Sequence, residues 1–150
     1  MGKVVGITIA LLLCLICGCG DPGYRFLPIG WQPGSDHTWT RPFGDFELRT
    51  SGISGLIGNR SIEPDLRVEN SKLPISVESA QLRTTAESFS ADIYSSDRIP
   101  PSKSGYHLPI DFRFEGKRTI PEALGQHCEI IVNLKIGEEP RQIKIEYEKK

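Results

Sequence analysis

The stretch Cys128-Glu129-Ile130-Ile131-Val132-Asn133-Leu134-Lys135-Ile136 carries the clearest structural signal in the chain. Every second residue from the cysteine onward is apolar, and three of the four residues between them are polar or charged. A period of two places one set of side chains on each face of an extended strand. The stretch therefore predicts a strand with one face in a hydrophobic core and the other toward solvent.

The same alternation recurs on both sides of this stretch. Downstream, the turn-like residues 137–140 precede an apolar set at Ile143, Ile145 and Tyr147, which predicts a hairpin. Upstream, the apolar sets are Phe46 and Leu48; Leu66 and Val68; Ile75, Val77, Ala80 and Leu82, with a bulge after Val77; Phe89, Ala91 and Ile93; and Leu108, Ile110, Phe112 and Phe114. About seven short strands of this kind predict an all-β fold, an antiparallel β-sandwich over residues 45–150. One helical turn is predicted at 119–125, with Gly125 as its end.

The segment Leu66–Leu82 carries a family resemblance. An alternating strand is followed there by Asn70, a short turn and a second strand that ends in Ala80-Gln81-Leu82. This pattern resembles immunoglobulin-like exported bacterial domains and is similar to late-embryogenesis-abundant type 2 domains, and the strand at Leu108–Phe114 also fits it. The resemblance implies a sandwich with a binding or structural role, and it implies no catalytic residue.

The first residues of the chain have the pattern of a secretory leader. Lys3 precedes an unbroken apolar run, Val4–Ile16, that is shorter than the roughly 20 residues needed to span a bilayer. A basic end followed by a short apolar segment is typical of a signal peptide. We therefore expect residues 1–18 to be removed on export.

The end of this leader resembles the lipobox of bacterial lipoproteins. Its sequence is Ile16-Cys17-Gly18-Cys19, with a small residue directly before the last cysteine. The resemblance implies cleavage between Gly18 and Cys19 and acyl chains on Cys19. It also implies a lipid-anchored place in the bacterial envelope, and Gly20 after the lipidated cysteine favours the outer membrane.

Residues 19–44 are rich in glycine and proline, and this composition predicts an extended, solvated tether. Its aromatic residues are Tyr24, Phe26, Trp31, Trp39 and Phe43. Packing on the chain's own domain is the favoured interpretation for them. A position at the bilayer interface and contact with a protein partner are the alternatives, for which Trp31 and Trp39 are the candidates.

Charge and cysteine content exclude several classes of function. The 18 basic and 19 acidic residues give a formal charge of −1, so there is no basic stripe for nucleic acid. No run of lysines and arginines adjoins Cys19, so membrane attachment is predicted to come from the acyl chains. Once the leader is removed and Cys19 is acylated, only Cys128 remains, which excludes an intramolecular disulfide. Cys128 is predicted to be a small buried hydrophobic side chain.

No constellation of catalytic or metal-binding residues is apparent. The three histidines, His37, His107 and His127, lack metal-ligand spacing. Ser35-Asp36-His37 contains the residue types of a triad, but neighbours in the chain cannot meet as a triad does. The glycines at 52, 55 and 58 lack the lysine of a phosphate loop and predict a turn or bulge. The acidic residues Asp92, Asp97, Asp111 and Glu115 do not form a calcium loop.

These observations predict a non-enzymatic, lipid-anchored module without cofactor or metal. Its predicted role is binding, adhesion or envelope assembly. An exposed sheet edge is one place where a protein partner could add a strand. Two alternatives remain. One is a structural spacer of the envelope with no specific ligand. The other is a small hydrolase or ligand carrier that uses loop residues around Asp36, His37 and His107.

Overall fold

The computed structural model describes residues 23–101, 104–116 and 118–150. Within these ranges the chain forms fourteen strands and one short helix. The strands are β1 (Gly23–Pro28), β2 (Gln32–Pro33), β3 (Trp39–Pro42), β4 (Glu47–Thr50), β5 (Ile53–Leu56), β6 (Ser61–Ile62), β7 (Leu66–Glu69), β8 (Ile75–Arg83), β9 (Ser88–Ser90), β10 (Asp92–Ile93), β11 (Tyr106–His107), β12 (Ile110–Arg113), β13 (His127–Ile136) and β14 (Glu139–Lys149). The helix is α1 (Ile120–Leu124).

The largest sheet is built around the β13–β14 hairpin. Its order is β5-β1-β14-β13-β8-β9, with antiparallel pairing throughout. The hairpin closes through Gly137 and Glu138, since Ile136 pairs directly with Glu139. Gly137 has a φ of 60°, which primed hairpin turns require at their first central residue. The predicted hairpin is confirmed.

Two smaller antiparallel sheets complete the fold, with the orders β11-β7-β4-β3-β2 and β10-β12-β6. Buried side chains from these sheets and from the large sheet form one hydrophobic core. Leu48, Leu66, Phe112, Ile130 and Ile145 are among its most deeply buried members, each with an exposed fraction of 0%. The prediction of an all-β, antiparallel, sandwich-like fold is confirmed.

Two local predictions are also confirmed. The pairing of β8 with β13 shifts register between Asn133 and Leu134, so that Glu78 is the extra residue of a bulge directly after Val77. α1 begins with a capping box between Thr119 and Glu122 and ends at Gly125, which has a φ of 70°.

The structure corrects the predicted tether, residues 19–44, over the part that it describes, residues 23–44. Residues 23–28 form β1, an interior strand of the large sheet that pairs with β5 on one side and β14 on the other. Tyr24, Phe26 and Pro28 are buried, so the segment has the alternation of a half-buried strand despite its glycine and proline content. Its prolines are compatible with this role, because Pro28 ends β1 and Pro33 lies in β2, an edge strand.

The glycine-rich segment after β4 also differs in part from the expectation of a turn or bulge. Residues 53–56 form β5, an outer strand of the large sheet. Gly52 does mark a sharp turn into this strand, with a φ of 92°. A side chain there would meet the carbonyl oxygen of Phe26 at 2.3 Å, so the close approach of β1 and β5 depends on this glycine.

Candidate functional site

A recess of about 490 Å³ lies where β8 ends and β13 begins. Its lining residues come from β8, β13 and β14 and from the loops that follow β1 and β8: Ile29, Arg83, Thr84, Thr85, His127, Cys128, Glu129, Glu146 and Tyr147. The volume falls within the range of pockets that hold small ligands. We refer to it as the β8–β13 recess.

The register of the large sheet lines up the charged residues of this recess. Glu129 lies directly opposite Glu146 on one side and Arg83 on the other, so the three side chains share the outer face. Lys144 Nζ lies 2.6 Å from Glu129 Oε2 and 3.0 Å from Glu146 Oε1. These hydrogen bonds, with that to Glu129 the stronger cause, raise the pKa of Lys144. The row is therefore balanced in charge and does not select an ion of one sign.

Ile29 adds an apolar contact to this polar row. Its exposed fraction is 40%, and its backbone N–H donates to the carbonyl oxygen of Glu146 at 2.8 Å, which holds it beside the end of β14. Thr85 is exposed in the β8–β9 turn, whereas the hydroxyl of Thr84 is taken up within that turn, where it accepts from two backbone N–H groups at 3.2 and 2.9 Å. An apolar surface with a few convergent polar groups is the usual chemistry of a binding pocket.

Two residues of the recess, Cys128 and Tyr147, carry groups that act as nucleophiles only when they are deprotonated. Cys128 is only 5% exposed, and burial raises the pKa of its thiol to about 12. Burial likewise raises the pKa of Tyr147, whose side chain is fully enclosed. At neutral pH neither group supplies the thiolate or phenolate that nucleophilic catalysis needs. The prediction that Cys128 is a buried hydrophobic side chain is confirmed.

The three histidines lie on separate elements. His37 is exposed in the β2–β3 turn, His107 is in β11 at the edge of the five-stranded sheet, and His127 begins β13. Asp36 and His37 both adopt left-handed backbone angles, with φ values of 55° and 57°. The backbone N–H of Thr38 and its hydroxyl both donate to the carbonyl oxygen of Ser35. Ser35-Asp36-His37 therefore forms a hairpin turn.

Asp65 is the centre of a polar network that the sequence analysis missed. Ser51 donates to its carboxylate through Oγ at 2.6 Å and through N at 3.1 Å, and Arg67 Nε lies at 2.7 Å. Nδ1 of His107 is 3.5 Å away. Burial alone raises the pKa of Asp65, but the hydrogen bonds from Ser51 and Arg67 outweigh it and lower the pKa below its usual value. The network joins the β4–β5 connection to β7.

The acidic residues of the β10–β12 pair are bound by arginine. Asp92 and Asp111 lie opposite each other, and Nε of Arg113 is 3.1 Å from the first carboxylate and 3.2 Å from the second. In the part of the chain that the structure describes, no group of three or more His, Cys, Asp or Glu side chains is placed to hold a metal ion.

The two tryptophans pack on the chain's own domain, which is the interpretation favoured for the aromatic residues of this segment. Trp31 is 7% exposed and meets the ring of Phe43 edge-on at 6.0 Å. Trp39 is half-buried, with the guanidinium carbon of Arg25 at 5.6 Å from its ring centroid. Trp31 is thus enclosed in the core, so the prediction that it contacts a partner is wrong. Trp39 keeps a partly exposed ring.

The predicted cleavage and lipidation site, Gly18 and Cys19, lies outside the described residues. Among the helices within those residues, none is long and apolar enough to cross a bilayer. Comparison with known protein families finds no matching family model, and comparisons with curated proteins and with solved structures find no significant match.

Proposed function

We propose that this chain is a lipid-anchored, non-catalytic binding module of the bacterial cell envelope, which takes its ligand at the β8–β13 recess. Two parts of the chain support the proposal separately. The sequence before residue 20 supports the anchor, and the geometry of the large sheet supports the binding role. The resemblance to immunoglobulin-like exported domains and to late-embryogenesis-abundant type 2 domains is consistent with such a role.

The anchor is supported by the lipobox-like sequence that ends at Cys19. Only Gly20, Asp21 and Pro22 separate this cysteine from Gly23, the first residue of β1. Acyl chains on Cys19 would therefore hold the sandwich close to the membrane. Several acyl chains on one residue give essentially permanent attachment, since each buried methylene contributes about 0.8 kcal/mol.

The observation that carries the binding role is the recess itself. It combines the exposed side chain of Ile29 with a charge-balanced polar row and the exposed residue Thr85. A spacer without a ligand has no need of such a concave surface. Catalysis is disfavoured because Cys128 and Tyr147 are 5% and 0% exposed and so present no nucleophile to the recess.

The anchor is tested by expressing the chain in a bacterium and measuring the mass of its N-terminal peptide. The wild type is expected to begin at residue 19 and to incorporate a palmitate analogue. Cys19→Ser should abolish both the cleavage and the label. Cys17→Ser is the matched control and should retain them. An unlabelled wild type that still carries its leader would refute the anchor.

The binding role is tested by photo-crosslinking in the native envelope. A crosslinking amino acid at Thr85 lies in the recess, and the same group at Lys72, an exposed position outside it, is the control. We expect a reproducible crosslinked species from position 85 and not from position 72. The same products from both positions, or none from either, would contradict the proposal and favour the structural spacer.

A further inference from the structure

A second depression, of about 590 Å³, lies at the end of the large sheet where β1 begins. It is lined by Gly23, Tyr24, Arg25, Ser54, Gly55, Leu56, Asn59, Lys149 and Lys150. These residues come from the start of β1, from β5 and the turn after it, and from the end of β14 and the residue that follows it. We call this surface the Gly23 end.

The Gly23 end gathers positive charge from distant parts of the sequence. The backbone N–H of Lys150 donates to the carbonyl oxygen of Arg25 at 3.0 Å, and Lys149 lies opposite Phe26. Glu148 binds Nζ of Lys150 at 2.9 Å and offsets one of the three cations. The guanidinium of Arg25 lies over the ring of Trp39, a contact that leaves its positive charge in place.

The same surface also exposes an apolar side chain. Leu56, the last residue of β5, is 48% exposed. Gly55 beside it keeps the surface concave. A Cβ atom at that position would stand 2.8 Å from the hydroxyl of Tyr24 and 2.9 Å from Nδ2 of Asn59. Basic residues around an exposed leucine are the combination that favours the interface of an anionic bilayer.

The length of the chain before Gly23 fixes how far this end can lie from the lipid. Four residue steps separate Cys19 from Gly23, and a fully extended chain covers at most about 14 Å over that number of steps. The Gly23 end would therefore remain near the headgroups whatever the orientation of the rest of the sandwich. An electrostatic contact acts over a similar range, since the Debye length is about 8 Å at physiological salt.

We infer that the Gly23 end is a membrane-contact surface, on which Arg25, Lys149 and Lys150 bind the phosphates of anionic lipid headgroups while Leu56 enters the interface. The inference rests on the proposed acylation of Cys19. The contact orients the sandwich on the bilayer and adds to the acyl anchor, because three basic residues are fewer than the 4–8 of a typical lipid-binding cluster. The β8–β13 recess then lies about one strand length from the membrane, since its residue Tyr147 pairs with Pro28, five residue steps or about 17 Å along β1 from Gly23.

The test uses the acylated mature protein with an environment-sensitive fluorophore at position 54, attached through Ser54→Cys. Ser54 is exposed at the Gly23 end, and Cys128 is buried with a raised pKa and does not compete for the label. The protein is reconstituted in vesicles of phosphatidylcholine alone and in vesicles with about a third phosphatidylglycerol. We expect quenching by lipid-borne quenchers to increase with the anionic lipid and to be lost in about 1 M salt, where the Debye length is roughly 3 Å.

Two double variants distinguish a contact made by the Gly23 end from an effect of the net charge of the whole protein. Lys149→Gln with Lys150→Gln should reduce the contact equilibrium about 10- to 30-fold, because each lysine near an anionic surface contributes about fivefold. Lys72→Gln with Lys135→Gln changes the net charge equally at the opposite end of β14, beside the Gly137 turn, and should leave the contact unchanged.

The remaining outcomes would overturn the inference in distinguishable ways. If the protein floats with both kinds of vesicle but its fluorophore is not quenched by the lipid-borne quenchers, the membrane contact is wrong and the acyl anchor still stands. A protein that floats with neither contradicts the anchor, and the inference falls with it. Equal quenching in both lipids, or equal losses in both double variants, excludes the charge-mediated contact. Protection that depends on protein density would assign the surface to a second copy of the chain.

Discussion

Phe26→Ala tests whether the glycine- and proline-rich segment before residue 44 belongs to the folded domain. Phe26 is completely buried and lies in an interior strand, between Ile53 of β5 and Lys149 of β14. Its ring also meets that of Tyr24 edge-on at 6.3 Å. Removing such a ring loses its transfer free energy and leaves a cavity that the surrounding strands can only partly fill.

The expected loss is about 3–5 kcal/mol in the free energy of unfolding. For a domain of this size each kcal/mol corresponds to roughly 3–5 °C in Tm, so the midpoint should fall by about 10–20 °C. The matched control is Tyr94→Ala, which removes an aromatic ring that is 57% exposed and should cost less than about 1 kcal/mol.

The assay is urea unfolding of the mature chain with Cys19→Ser, followed by tryptophan fluorescence and by circular dichroism. A segment that only tethers the domain would make Phe26→Ala indistinguishable from Tyr94→Ala. That result would refute the placement of β1 in the sheet. It would also remove the basis of the Gly23 end, since this surface exists only when β1 lies beside β14.

Three further predictions concern single residues. Because the pKa of Asp65 is lowered in the folded protein, the unfolded chain binds more protons than the folded one below about pH 4. The free energy of unfolding should therefore fall as the pH drops through that range. Asp65→Asn should flatten this dependence on pH. Cys128 should resist alkylation at pH 8 in the folded protein and react in denaturant, as followed by mass spectrometry, because burial raises its pKa to about 12. Gly52→Ala should cost more than about 2 kcal/mol in urea unfolding, because its φ is 92° and the new methyl group would stand 2.3 Å from a carbonyl oxygen. Gly58→Ala, which meets nothing within 4 Å, should be nearly neutral in the same measurement.

Elements whose signals lie close together in the chain can be predicted without the fold. The alternation in β13 requires only that one face be apolar, and the β13–β14 turn requires only a glycine with positive φ at position 137. The ends of α1 likewise follow from Thr119, Glu122 and Gly125, which lie within one turn of the helix. Such features are readable because the interacting groups are close together in the chain.

β1 was missed although the period of two is present at Tyr24, Phe26 and Pro28. The glycine and proline content around it indicated solvated chain, and an isolated short strand is marginal without partners. Its pairing partners are β5 and the end of β14, the latter more than a hundred residues away in sequence. Only the completed sheet satisfies the backbone of β1 and buries its rings.

The two candidate surfaces depended on tertiary structure entirely. The β8–β13 recess needs the register that places Arg83, Glu129 and Glu146 in one row. The Gly23 end needs the antiparallel pairing that brings Arg25 beside Lys150. Composition counts these charges but carries no information about their distances, and electrostatic and contact energies depend on distance. The proposed leader and acylation site, in contrast, rest on a linear pattern in residues 1–19, so their prediction requires no knowledge of the fold.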